Sequence, residues 1–298
     1  MNISLIGVPI KYGADREGVQ YGPQKLRNMG IVEIIKKYKN EVYDLGNIYI
    51  PEVLDSEKYA HHEKIKYLKA ITDMSNNLAH LVYSALCSNS FPLVLGGDHS
   101  LGLGSISGAS KFFNELAVIW IDAHADINTF ETSPSGNSHG MILGAALGEG
   151  HEDLTNVYFK GQKLRPENTF IYGARELDKG EVELAQRLNL NLYSMDRIRK
   201  IGFEETLEDL VSKIKELKVD GIHLSFDIDS LDKKLVPGTG TPVDGGFSIE
   251  EVKKILKTLL ETNMIKSMDF VELNPKLDKE DSTAKLCIEL IDWIFKHM

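Results

Sequence analysis

Short apolar runs of strand length recur along the chain, separated by stretches of helical periodicity, and this alternation limits the possible folds more than any other feature. Strand-like runs lie at 3–8, 41–45, 92–95, 116–121, 169–172, 190–193, 221–226 and 267–271, and helical patterns at 23–38, 63–88, 180–188, 203–217, 248–262 and 282–295. Strands apolar at nearly every position must be covered on both faces, and a helix after most of them supplies that cover. The expected fold class is α/β: one domain over residues 1–298, a three-layer α/β/α arrangement with a mainly parallel central sheet. No linker-like tract, internal repeat or low-complexity segment divides the chain.

Composition removes several classes of function. A net charge of −10 with no block of Lys or Arg leaves no electrostatic footprint for a phosphate backbone, so no nucleic-acid partner is expected. Apolar runs fall far short of the roughly 20 residues that cross a bilayer, so no membrane partner is expected either. The first residues lack a basic stretch leading into an apolar one, which points to the cytoplasm. Cys87 and Cys287 are far apart and lie in apolar helical patterns, so both are expected as buried, reduced thiols.

In open parallel sheets ligands collect at the carboxyl ends of strands. Leu93-Val94-Leu95 runs into Gly96-Gly97-Asp98-His99-Ser100, Val118-Ile119-Trp120-Ile121 into Asp122-Ala123-His124-Ala125-Asp126, and Leu224-Ser225-Phe226 into Asp227-Ile228-Asp229. If the extended backbone continues past each strand, residues two apart point the same way, so Asp122, His124 and Asp126 would share a side, as would Asp227 and Asp229. With His99 these make two imidazoles and four carboxylates, enough for two divalent ions if carboxylates bridge. One such segment alone would be read as a helix cap; three, each ending an apolar strand, are hard to explain that way. Oxygen-rich ligation without sulfur favours manganese, with ferrous iron or cobalt open, and two ions held close together generate hydroxide near neutral pH.

Gly-Gly-Asp-His, Asp-Ala-His-Ala-Asp and Ser-Phe-Asp-Ile-Asp-Ser-Leu-Asp resemble, in the same order, the three metal motifs of the ureohydrolases, and the resemblance runs from Gly13 to Pro275. It implies two Mn2+ per subunit, one held by His99, Asp122, Asp126 and Asp227 and the other by Asp122, His124, Asp227 and Asp229. It further implies that a hydroxide bridging them attacks a guanidinium carbon, and that Asp126 accepts a hydrogen bond from it. The segment from Ser133 to Met141 resembles the arginase form of its loop, which implies L-arginine as substrate and L-ornithine and urea as products. By the same resemblance Asn128, Ser133, Ser135 and Asn137 would bind the α-carboxylate, Asp178 with Glu181 the α-amino group, and Glu272 the guanidinium, while His139 would shuttle a proton. Thr241 would help shape the pocket. The segment from Gly13 to Pro23 resembles the arginase form over the agmatinase form, and the family implies a homotrimer or homohexamer, with the closing helix from Ser282 a candidate interface. Lys233, Ser133 and Lys179 depart from the usual pattern, and none removes a ligand.

Two rivals remain: agmatinase, which has no α-carboxylate to bind, and a metal-binding regulatory protein without catalysis. The glycines from Gly102 to Gly108 superficially suggest a dinucleotide loop, but the last spacing is one too long, so they are read as helix-packing residues. His61 and His62 are expected on a solvent-facing helical stretch, and His80, His151, His223 and His297 are given no function.

Overall fold

A computed structural model describes residues 1–38 and 40–298. Among them, eight strands form one sheet: β1 (Asn2–Val8), β2 (Glu41–Asn47), β3 (Phe91–Gly96), β4 (Leu116–Ile121), β5 (Thr169–Tyr172), β6 (Asn191–Tyr193), β7 (Gly221–Asp227) and β8 (Ile265–Val271). Their order is β2-β1-β3-β8-β7-β4-β5-β6, and every pairing is parallel. The period of two along each strand sends alternate residues to two cores. Ile3 and Leu5 join a cluster with residues of helices Ile31–Lys36, Phe203–Glu216, Ile249–Leu260 and Ser282–His297. Ile6 and Val8 join the opposite cluster with Leu68–Cys87, Gly102–Phe112, Ile142–Ala146 and Lys179–Leu188. The three layers follow, and no helix among the described residues is long and apolar enough to cross a membrane.

The glycines after His99 are helix-packing residues, as expected. A Cβ on Gly104 or Gly108 would lie 2.8 Å from the Ser75 carbonyl oxygen or 2.4 Å from that of Ala79, so these positions let helix Gly102–Phe112 close on Leu68–Cys87.

Several expectations need correction. The helix expected over 23–38 is two, Gly22–Asn28 and Ile31–Lys36, because Gly30 takes a left-handed φ of 84° between them. The helix expected from 63 begins only at Leu68: Tyr67 is left-handed, and the His62 ring nitrogen Nδ1 accepts from the amides of Lys64 and Ile65, fixing a turn instead. His61 and His62 are therefore not on a helix. Cys87, at the end of its helix, is exposed rather than buried, while Cys287 is buried as expected. The closing helix from Ser282 buries one face, including Leu286 and Leu290, against the core.

What the topology does for function is to put β3, β8, β7 and β4 side by side at the centre of the sheet. Every residue proposed as a metal ligand follows, or ends, one of these strands.

Candidate metal centre and substrate cleft

Past β3, Asp98 is extended and gathers three backbone amides, from Gly13 (2.9 Å), Ala14 (3.2 Å) and Ser100 (3.0 Å). This turn drives His99 into the interior, where its ring stacks on Trp120 with centroids 3.8 Å apart. One ring nitrogen, Nε2, is 2.8 Å from the Ser225 hydroxyl; the other, Nδ1, is 2.8 Å from Asp122 Oδ2, 3.1 Å from Asp227 Oδ2 and 3.5 Å from Asp126 Oδ2. The β4–β7 register pairs Ile121 with Phe226, which brings Asp122 beside Asp227 at the next step. His124 Nδ1 lies 3.3 Å from Asp122 Oδ1 and 3.2 Å from Asp229 Oδ2.

The six side chains converge, but not by continued extension. β4 stops at Ile121, and the Asp122 carboxylate accepts the His124 amide at 2.7 Å, turning the chain; Asp126 then takes a left-handed φ of 53°. Likewise Asp227 accepts the Asp229 amide at 2.7 Å and opens a single 3-10 turn, Ile228–Ser230. A carboxylate that caps its own turn bends the backbone so that the next ligand faces inward.

Two groups could each hold a cation, His99 with Asp122 and Asp227, and Asp122 with His124 and Asp229, the ligand atoms of each lying within 4.8 Å of one another. Although 2.8 Å apart, His99 Nδ1 and Asp122 Oδ2 are not aligned to hydrogen-bond each other and have no other partner, a costly state for buried polar atoms unless a cation binds both. The electrostatics agree. Burial pushes the carboxyls of Asp126 and Asp227 well above their usual range, and neighbouring carboxylates push them further. Burial works against charge on His99, but the adjoining Asp122 carboxylate, with Asp126 and Glu272, pushes its pKa up to about 8. Asp122 itself stays below the usual carboxylate range, because His124 and His99 outweigh its burial. Carboxylates packed so closely around imidazoles fit divalent cations.

Above this floor opens a cavity of about 460 Å3 with Asp126 and His124 at its base and Ser133, Ser135, Asn137 and Asp178 among its walls. The Ser133 and Ser135 oxygens accept the amides of Gly136 and Asn137, both at 3.1 Å, which leaves their hydroxyl hydrogens free to donate. Asn128 donates to Asp178 Oδ2 (2.9 Å) and accepts from the Thr132 hydroxyl (2.8 Å). Glu181 caps the start of helix Lys179–Leu188, its two oxygens accepting the amides of Ile127 (3.1 Å) and Asp178 (2.9 Å). Thr241 also lines the cavity, its hydroxyl donating to Asp229 at 3.0 Å. Glu272 directly follows β8 with a left-handed φ of 69°, is 2% exposed, and accepts the His99 amide at 2.8 Å. His139 Nδ1 sits 3.7 Å from its Oε1.

Sequence reasoning passed over three supporting residues. Asp98 and Ser225 lie inside the motifs, but nothing in the sequence marks their hydrogen bonds to the Gly13 turn and to His99. Arg175 gave no signal: its guanidinium donates to the carbonyls of Asp229 (2.7 Å), Leu231 (3.0 Å) and Val243 (3.0 Å), fastening the loop after the last ligand.

The sequence profile of the Arginase family matches residues 1–295. An arginase of Brevibacillus brevis is 42% identical over 99% of this chain and 97% of its own length. A crystal structure of arginase from Bacillus subtilis superposes with a TM-score of 0.93 at 39% identity, covering 99% of this chain and 98% of the other. The structure of Entamoeba histolytica arginase in complex with L-ornithine does so with a TM-score of 0.89 at 32% identity, covering 99% and 97%. With the whole length matched and every motif in order, the chain belongs to the arginase family, as a ureohydrolase of the arginase type.

Proposed function

We propose that the chain hydrolyses L-arginine to L-ornithine and urea with two manganese ions. The observation that carries this reading is the pairing of a floor of four aspartates and two histidines with a rim that offers two unused hydroxyl hydrogens, on Ser133 and Ser135. An α-carboxylate is the partner such hydroxyls suit, and the Entamoeba relative holds an α-amino-acid product, L-ornithine.

His99, Asp122, Asp126 and Asp227 would hold one ion and Asp122, His124, Asp227 and Asp229 the other, a donor set without thiolate that favours manganese. When bound, the pair supplies the Lewis acidity that makes water nucleophilic near neutral pH. The protein's own groups do the rest. Asp126, between floor and cavity, accepts a hydrogen bond from the attacking water and aims it at the guanidinium carbon. Glu272, a buried carboxylate, takes the guanidinium, a partner that offsets its desolvation. His139, beside Glu272, passes a proton to the departing amine as the C–N bond breaks, leaving ornithine and urea. Asp178, its Oδ2 already accepting from Asn128, faces the α-amino group, with Glu181 holding the turn beneath it. Homotrimeric or homohexameric assembly is proposed on family membership, and sedimentation velocity reads it.

Urea release from arginine and from agmatine, with a chelator-stripped control, tests the reading. Release from arginine alone, lost on stripping and restored by manganese, is expected. Release from agmatine in preference would move the substrate to a decarboxylated guanidine and leave the serines without a partner.

A further inference from the structure

Residues 13–15 touch both halves of the site, although the chemistry above gives them no task. The Gly13 and Ala14 amides donate to Asp98 beside the metal floor, while the Gly13 carbonyl accepts from the His139 amide (3.2 Å) and the Ala14 carbonyl from Asn137 Nδ2 (3.0 Å). The other end of the Asn137 amide is taken as well: Lys66 Nζ donates to its Oδ1 at 2.7 Å and pairs with Asp15 at 3.0 Å. With both ends engaged, the Asn137 side chain is braced where it lines the cavity wall.

Lys66 grips this loop twice, since its backbone amide also donates to the Gly136 carbonyl at 3.0 Å. Gly136 is pressed so close that a Cβ there would lie 2.6 Å from the Lys64 carbonyl oxygen. Gly136 and Asn137 are the two residues whose amides fix the oxygens of Ser133 and Ser135. The ammonium is itself anchored, its side chain only 15% exposed and its partner Asp15 shared with Lys58 (3.2 Å) and the Tyr67 hydroxyl (3.2 Å). Burial works against charge on Asp15, but hydrogen bonds from Lys66 and Lys58 hold its carboxyl below the usual range, so Asp15 stays a carboxylate.

We propose that Lys66 is a positioning residue for the substrate α-carboxylate: through Gly136 and Asn137 it aims the hydroxyls of Ser133 and Ser135, and so favours α-amino-acid guanidines over decarboxylated ones. The proposal rests on the arginine reading of the same site. It also gives a task to the N-terminal segment that resembles the arginase form.

The test compares the manganese-loaded unaltered protein with Lys66→Met and Lys66→Arg. In Lys66→Met the KM for arginine is expected to rise ~10-fold while kcat stays within about threefold, the signature of lost substrate binding. The calorimetric Kd for L-ornithine should weaken by a similar factor while that for putrescine, which lacks the carboxylate, stays put; Lys66→Arg should restore most of the ornithine affinity. Lys66→Gln removes the ammonium but keeps a polar side chain and must give the same split, so a Lys66→Met chain that fails to fold leaves the question answerable. No arginine turnover by the unaltered protein removes the parent reading. Arginine turnover with unmoved ornithine affinity in whichever variant folds, or equal loss of ornithine and putrescine affinity, overturns this proposal alone.

Discussion

The floor of the site and its rim are built by different means. On the floor, each candidate ligand lies within five residues of the end of β3, β4 or β7, and short-range bonds such as His124 amide to Asp122 and Asp229 amide to Asp227 set its direction. On the rim, residues 128–139 are mostly irregular and are held by partners far off in sequence: Asn128 by Asp178, Asn137 by Ala14 and Lys66. Floor geometry is thus inherited from the sheet register, whereas rim geometry depends on a few side-chain contacts that can change without disturbing the sheet. Chemistry placed on the first and substrate choice on the second lets one change while the other holds.

If that division is right, the largest effects come from the floor. Asp122→Asn removes charge from a carboxylate common to both candidate cation groups. Losing several kcal/mol of metal-dependent stabilisation corresponds to a fall in kcat/KM of ~10³-fold or more. Elemental analysis after dialysis should find less than the unaltered protein's metal. Full metal retention with full turnover would show that the ligand set is misassigned.

A smaller loss should follow one step behind the ligands. Ser225 is the partner of His99 Nε2 and leads back to Asp269 (3.5 Å), which also accepts from the Ser105 hydroxyl (2.5 Å) and pairs with the fully buried His223 at 3.0 Å. His223, given no function from sequence, so belongs to the support behind the floor. A partner on the far nitrogen fixes which nitrogen of His99 faces the carboxylates, and losing one typically costs 10–100-fold in metal affinity. Ser225→Ala is therefore expected to weaken manganese binding ~10-fold in a chelator competition, with little change in the arginine KM once saturated with metal. A KM shift at saturating manganese would mean that floor and rim are coupled more tightly than their construction suggests.

The same division explains what the sequence disclosed. The mostly apolar central strands announced the parallel sheet, and ligands clustered at the ends of three of them announced the floor, because both signals are local. The turn that brings Asp126 inward was not legible, since aspartate enters the left-handed region more often than most residues but far less reliably than glycine, and here it reads equally well as one more ligand on an extended run. The start of the helix after His62 was misplaced because helical periodicity persists in a segment whose amides are captured by a histidine ring. Lys66 gave no signal at all: its task exists only once residues 71 positions away are folded against it. Glu181 is placed near the substrate by the resemblance, and in the structure it lines the cavity while its oxygens accept the amides of Ile127 and Asp178, the first a contact that no local pattern in the sequence announces.

On the rim itself, Ser135→Ala deletes one hydroxyl donor to a charged group, worth about 1.5–3 kcal/mol, so the arginine KM should rise ~10-fold or more with kcat nearly unchanged. An equal fall in kcat would place Ser135 with the chemistry and blur the boundary between the two regions. The smallest effect is the one that isolates Lys66. Three residues further on, Lys69 pairs with Asp73 across one helical turn at 2.8 Å, with its side chain 60% exposed. Such a pair contributes at most ~0.5 kcal/mol, and it touches nothing on the loop. Lys69→Ala should leave the arginine KM, the ornithine affinity and the thermal midpoint all within error of the unaltered protein. If it shifted KM as far as Lys66→Met does, the cause common to both would be the charge or stability of the helix start, and the rim would owe its shape to general electrostatics instead of to the grip on Gly136 and Asn137.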